Sequence, residues 1–205
     1  MEAILLASSS WRRKEILESL DIPFETVDPD VDEAARDSLP PAERVVALAA
    51  DKAEAVAAQA ADGAPRLVLG ADTLVCLPRT GENELVMGKP ESRHEARAMI
   101  EALAGRDHSV HTGIALLDRA SGKIRKLRSD SLVRFAPMVA EEIERYLDTE
   151  EWQGVAGAYR IQGAAAQFIT RIEGSWSGIV GLPLRELYVI LSEAGYRFRP
   201  VVAGK

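Results

Sequence analysis

With 205 residues, 47% hydrophobic and 28% charged, the chain has enough apolar material for a sizeable core, and its formal net charge of −7 excludes general nucleic-acid binding, which needs an extended basic surface. The N-terminal apolar run is too short for a signal segment and no later run approaches a membrane-spanning length, so a cytoplasmic protein that does not engage a membrane is expected. Cys76 is the single cysteine; no intrachain disulfide can form, and no histidine stands at zinc-type spacing from it.

In chain order, the continuous apolar run at residues 3–7 predicts a strand covered on both faces, followed by Ser8-Ser9-Ser10 and a helix patterned on Ile16, Leu17 and Leu20. Another strand is predicted near residues 24–27. After Pro40-Pro41 a long helix repeats apolar residues at Val45, Leu48, Ala49 and Val56. Residues 67–71 form a second buried-strand pattern, closed by Asp72, and the polar stretch 79–83 reads as a loop. Ser92-Arg93-His94-Glu95 fits a capping box for a helix burying Ala96, Met99, Ile100 and Leu103, with Gly105 available to end it. Strands are predicted over 110–117 and 123–135, joined by a turn at 120–122. A helix follows near Val139, Ile143, Tyr146 and Leu147, then a strand near 167–172 and a helix opened by Pro183 with Leu184, Leu187, Tyr188 and Leu191 on one side. Helices and strands alternate without repeats or long linkers, which favours a single α/β domain over residues 1–205, built on a mixed sheet.

Several side chains are costly where they stand unless they have a partner. Arg12, Arg13 and Lys14 open the first helix, where the helix dipole disfavours cations by roughly 0.3–1 kcal/mol each. Either a phosphate held by free backbone N–H groups, Ser8, Ser10 and the guanidinium forks explains them, or they are solvated charges behind a plain Ser10 N-cap. Lys52 falls on the apolar stripe of its helix, four residues from both Leu48 and Val56, and must snorkel or find an anion. Asp72, at the carboxyl end of a buried strand, either binds Mg²⁺ or orients a water, or else caps a turn. Glu33 lies in a polar acidic loop, and Gly88-Lys89-Pro90 places a cation in a turn fixed by glycine and proline. There is no P-loop, dinucleotide fingerprint, nucleophile elbow or His-Glu-x-x-His pattern. His108 and His111 are three apart on a predicted strand and face opposite sides, which disfavours a shared metal.

Ser8-Ser9-Ser10-Trp11-Arg12-Arg13 resembles the N-terminal Ser-x-Ser-Pro-Arg-Arg loop of the Maf family of nucleotide pyrophosphatases. Further matches come in the family's order: Asp32-Glu33, Lys52-Ala53, Gly70-Ala71-Asp72-Thr73, Gly88-Lys89-Pro90, residues 156–163 around Gln162, and residues 174–184. The resemblance implies an elongated α/β fold on a mixed sheet flanked by helices, with two lobes and a cleft between them. It also implies hydrolysis of nucleoside triphosphates to monophosphate and pyrophosphate with a divalent cation, Mg²⁺ or Mn²⁺. By match, Ser8, Arg12, Arg13, Lys52 and Lys89 would hold the triphosphate. Asp72 would accept the proton of the attacking water and, with Glu33, bind the metal.

The set Arg12, Thr73 and Gln162 resembles the branch acting on dTTP and UTP rather than the one acting on 7-methyl-GTP, and a neutral amide at Gln162 can donate and accept toward a pyrimidine edge. Gln162 read as a loop amide satisfying nearby backbone is the alternative. Two departures stand out: Trp11 replaces the usual proline, and Arg160 replaces a small residue beside Gln162. A 7-methyl-GTP or modified-nucleotide pyrophosphatase and a non-catalytic nucleotide-binding regulator of cell division are the competing readings. A homodimer is a further expectation from the resemblance.

Overall fold

The computed structural model describes residues 1–78 and 84–199, so the loop expected at 79–83 lies outside the described residues. Among the described residues seven strands form one sheet in the order β2-β1-β3-β5-β6-β7, with β4 paired to β3 off this path. They are β1 (Ile4–Ala7), β2 (Phe24–Val27), β3 (Leu67–Leu77), β4 (Leu85–Met87), β5 (Asp107–Asp118), β6 (Lys123–Phe135) and β7 (Ile169–Glu173). β1 runs parallel to β2 and β3, and the remaining pairings are antiparallel, which makes the sheet mixed as expected. β6 alone is 13 residues long, about 40 Å at the usual rise per residue, and gives the fold its elongated form.

The helices are α1 (Trp11–Ser19), α2 (Pro41–Gln59), α3 (Arg93–Leu103), α4 (Ala140–Leu147), α5 (Trp176–Val180) and α6 (Leu184–Glu193). Among the described residues none is long and apolar enough to cross a membrane. Pro41 opens α2, where its missing N–H costs nothing, and Val45, Leu48, Ala49 and Val56 are buried as the periodicity requires. α2 lies directly on the sheet because two glycines admit it. A Cβ on Gly70 would stand 2.0 Å from the Ala49 carbonyl oxygen, and one on Gly113 would stand 2.3 Å from that of Val45. In α3, Ser92 accepts from the Glu95 N–H, while the Glu95 carboxylate accepts from Glu91 rather than from Ser92 itself. The expected capping box is therefore opened by one residue.

One face of the long strands divides into two cores. Leu67, Leu69 and Ala71 of β3 pack with Ile114 and Leu116, under Leu17 of α1 and Leu187, Ile190 and Leu191 of α6. Farther along the same strand, Val75 and Leu77 pack with Val110, Val133 and Phe135 under Ile100 of α3 and Tyr146 of α4. Between them runs a polar row across three strands, Thr73 opposite Thr112 opposite Ser129. The Thr112 hydroxyl donates to the Gly178 carbonyl of α5 at 2.8 Å and lies 3.0 Å from Thr73 Oγ1. This seam separates the two lobes. On the opposite face, Leu5, Ala7, Val68 and Ala115 pack beneath Ala49, Ala53 and Val56 of α2.

Three expectations are corrected. β3 does not close at Asp72 but continues to Leu77, because β5 pairs with it as far as Cys76. Ser10 occupies the N-cap of α1, yet its side chain makes no capping bond; its own N–H donates to Ser8 Oγ at 3.2 Å. Tyr188 is 52% exposed and Ile190 takes the buried position, with Tyr188 stacked on Phe198 outside the core.

Candidate active site

The extension of β3 creates the site. One edge of β3 is paired with β1 over Leu67–Gly70 and with β4 over Val75–Leu77, while β5 fills the other edge. Residues 71–74 thus lie in a notch in the sheet. β1 runs parallel to β3 and ends at Ala7, so the loop beginning at Ser8 leaves toward the notch. β4 runs antiparallel and ends at Met87, so Gly88-Lys89-Pro90 arrives at the notch from the other side. Asp72 and Thr73 point to opposite faces, and the open edge lets both reach one space. Asp72 lies two residues past the last residue paired with β1, so the rule that ligands sit beyond the carboxyl ends of parallel strands survives the longer strand.

A cleft of about 670 Å³ fills the notch, lined by Ser8, Arg12, Arg13, Glu33, Lys52, Asp72, Thr73, Lys89 and Gln162 among others. Every residue that the resemblance assigns to the site therefore reaches the same space, whereas Lys14 does not line it. The site has two chemically distinct ends. At the acidic end Lys52 Nζ lies 2.6 Å from Asp72 Oδ1 and 2.6 Å from Glu33 Oε1, so the lysine on the apolar stripe finds two anions and does not snorkel. Glu33 is set there by a 3₁₀ turn, Glu33–Arg36, capped by the Asp32 side chain accepting from the Ala34 N–H. Burial raises the Glu33 pKa, but the hydrogen bond and charge of Lys52, with Lys89 and Arg44, outweigh it and hold the carboxyl below its ordinary value. Asp72 Oδ2 is buried and has no hydrogen-bond partner among the described residues.

At the basic end Arg13 is locked. Its Nε donates to the Gly181 carbonyl at 2.9 Å, one terminal nitrogen donates to Ser8 Oγ at 2.9 Å, and the other lies 3.5 Å from Thr73 Oγ1. Burial lowers its pKa, partly offset by attraction to Asp72 and Glu33. Arg12 is pushed down to about 10 by burial and by repulsion from Arg13 and Arg160. Crowding guanidinium groups is unfavourable, and an anion joining them relieves the repulsion. Gln162 is exposed at the rim.

Two residues around the site were not picked out as parts of it. Arg44 lines the cleft eight residues before Lys52 on α2, and that helical spacing was the available signal. Thr112 fixes Thr73 through a cross-strand pairing that no local pattern reveals. Trp11 lies on the cleft wall with the Arg160 guanidinium 5.4 Å and the Arg12 guanidinium 5.8 Å from its ring centroid. The two departures from the family pattern thus touch each other, and the aromatic face eases the crowding of the cations.

The sequence model of the family described as "Maf-like protein" matches residues 3–194. The dTTP/UTP pyrophosphatase of Treponema denticola is 42% identical over 201 residues, covering 96% of this chain and 99% of that protein. The dTTP/UTP pyrophosphatase of Pelotomaculum thermopropionicum is 44% identical over 196 residues, covering 96% of this chain and 98% of that protein. Among solved structures, the Staphylococcus aureus Ham1 protein aligns with a TM-score of 0.43 at 14% identity, over 66% of this chain and 72% of that one.

Proposed function

The chain belongs to the family of Maf-like proteins, and from that premise we propose that it hydrolyses nucleoside triphosphates, dTTP and UTP foremost, to the monophosphate and pyrophosphate. The observation that carries the reading is the meeting, in one cleft, of Arg12, Arg13 and Lys89 with a lysine-bridged carboxylate pair. Relatives at 42% and 44% identity over nearly their whole length bear the name dTTP/UTP pyrophosphatase.

In this reading the basic end binds the β- and γ-phosphates. Arg13 is preorganised by Ser8, Thr73 and Gly181 and presents its guanidinium at little entropic cost. Arg12 and Lys89 complete the neutralisation, and the mutual repulsion lowering the Arg12 pKa is relieved when the anion enters. Asp72 accepts the proton of the water that attacks the α-phosphorus, and pyrophosphate departs against the cations. Lys52 fixes the Asp72 carboxylate through Oδ1 and leaves Oδ2 free.

A hard divalent cation, Mg²⁺ or Mn²⁺, suits the oxygen donors of Asp72 and Glu33, and the unpartnered Oδ2 is where such a ligand is needed. When bound, it supplies further neutralisation of charge on the phosphates. Gln162 at the rim and Thr73 in the wall face the base and sugar, the amide offering both donor and acceptor to a pyrimidine edge.

The test is incubation of the chain with a panel of nucleoside triphosphates and Mg²⁺ or Mn²⁺, with products separated by chromatography. Monophosphate and pyrophosphate should appear in equal amounts, fastest from dTTP and UTP. Failure to release pyrophosphate from any pyrimidine nucleotide would refute the assignment.

A further inference from the structure

A second cluster lies on the Asp72 face of the sheet, four residues farther along β3. His111 stands opposite Leu74 in the β3–β5 register, so Cys76 and His111 are diagonal neighbours on one face. Glu84 comes to them from the residue preceding β4. One ligand atom each from Cys76, Glu84 and His111 lies within 4.8 Å of the others, with Cys76 and His111 buried and Glu84 partly so. His111 Nε2 is 2.8 Å from Glu84 Oε2, and Nδ1 is 2.7 Å from Asp130 Oδ1. Asp130 is held in turn by Arg128, whose Nε donates to Oδ2 at 2.9 Å.

A thiol, an imidazole and a carboxylate are the donor set of a borderline-soft cation rather than of Mg²⁺. A carboxylate on the far nitrogen of the imidazole is the outer-shell arrangement that fixes the tautomer presenting Nε2 to a metal. The geometry points to a zinc-type divalent cation site made by Cys76 Sγ, His111 Nε2 and a Glu84 oxygen, with Asp130 orienting His111 and water as a fourth ligand. Zinc–ligand bonds of about 2.0–2.3 Å set tetrahedral ligand separations of about 3.5 Å, so any pair farther apart than that closes in from at most 4.8 Å, while His111 Nε2 and Glu84 Oε2 exchange their 2.8 Å contact for bonds to the cation. Binding releases the thiol proton and any proton on Nε2. Burial and the Glu84 charge push the Cys76 thiol up to about 12, which keeps it neutral until a cation compensates the thiolate.

The site would tie the start of β4 to β3 and β5. β4 leads directly to Gly88-Lys89-Pro90, so the cation would brace the arm that carries Lys89 into the cleft. It is separate from the Asp72–Glu33 oxygens: Cys76 stands four residues of strand, about 13 Å, beyond Asp72, and none of Cys76, Glu84 and His111 lines the cleft. The inference therefore stands whether or not the chain hydrolyses nucleotides.

The experiment is a Co²⁺ titration of the full chain followed by absorption. Because Cys76 is the single cysteine, a thiolate-to-cobalt charge-transfer band can come from that side chain alone. The expected result is a band saturating at one cobalt per chain, bleached by Zn²⁺ and absent in Cys76→Ser. Affinity should fall at least about tenfold in His111→Gln and Glu84→Gln, and about 10–100-fold in Asp130→Asn, while Asp72→Asn leaves the band unchanged. Glu84 is partly exposed, so Glu84→Gln keeps the fold even if a buried substitution does not; thermal unfolding without metal checks each variant. No band in the folded wild-type chain overturns the site, as does unchanged affinity in both His111→Gln and Glu84→Gln.

Discussion

Lys52 Nζ donates to Asp72 Oδ1 across 2.6 Å with both side chains only 9% exposed. The lysine from the apolar stripe of α2 and the carboxylate from the open notch of β3 form a buried pair, with Glu33 as a second and more exposed acceptor. Deleting the lysine leaves Asp72 buried without its hydrogen-bonded counter-charge, with the attraction of Arg13 remaining. Lys52→Met is expected to lose roughly 3–5 kcal/mol of stability at neutral pH. Urea denaturation at neutral pH measures it, and a loss under about 1 kcal/mol would mean that the pair behaves as a surface ion pair.

Arg12 gives the opposite signature. Its pKa is depressed by burial and by Arg13 and Arg160, so the folded chain gains little from it without an anion. Arg12→Ala is expected to weaken triphosphate binding by about 1.5–3 kcal/mol, roughly 10–150-fold, the range of a hydrogen bond to a charged group. Thermal stability of the unliganded protein should stay the same or rise. Calorimetric titration with a non-hydrolysable triphosphate, beside a melting curve, separates the two effects.

His108 makes the fold sensitive to acid. It is fully buried against Tyr159, its Nε2 2.8 Å from the phenol oxygen, and burial lowers its pKa from 6.5 to about 4 despite Asp107 nearby. Between these values the unfolded chain binds more protons than the folded one, so stability falls as pH drops from 6.5 to about 4 and the loss is complete below the folded pKa. At 1.36 kcal/mol per unit the loss is about 3 kcal/mol. His108→Gln should remove that part of the pH slope; an identical slope in the variant would place the acid sensitivity elsewhere.

Much of the fold was legible because it rests on local pattern. The apolar run of β1, the stripe of α2 and the capped start of α3 all form where periodicity and capping place them. Asp72 marked the strand as finished because a charged residue in an apolar run reads as an end. The strand continues because β5 supplies its hydrogen bonds and Lys52 supplies its counter-charge. Tyr188 was assigned to the core from spacing alone, which cannot tell a face covered by a neighbouring element from one left open.

Arg12, Arg13 and Lys52 were legible one by one, each a cation out of place on its own element, whereas Arg44 was missed and Glu33 was reached only through the resemblance. The partition of the site into a carboxylate pair clasped by lysine and a crowded guanidinium end was not legible. That partition depends on the notch between β1 and β4, which arises from long-range register. The same holds for Cys76 and His111: spacing along the chain gives no metal pattern, while adjacent strands bring them together.

The central claim, that a polyphosphate held by the basic end faces a carboxylate that activates water, is tested most directly by Asp72→Asn assayed for binding and turnover on one preparation. The amide keeps the size of the side chain and loses the base. Affinity for dTTP should stay within about tenfold of the wild type while turnover falls about 10²-fold or more. Turnover that survives the substitution, in a variant that still binds dTTP, would contradict the account and move the base to another residue.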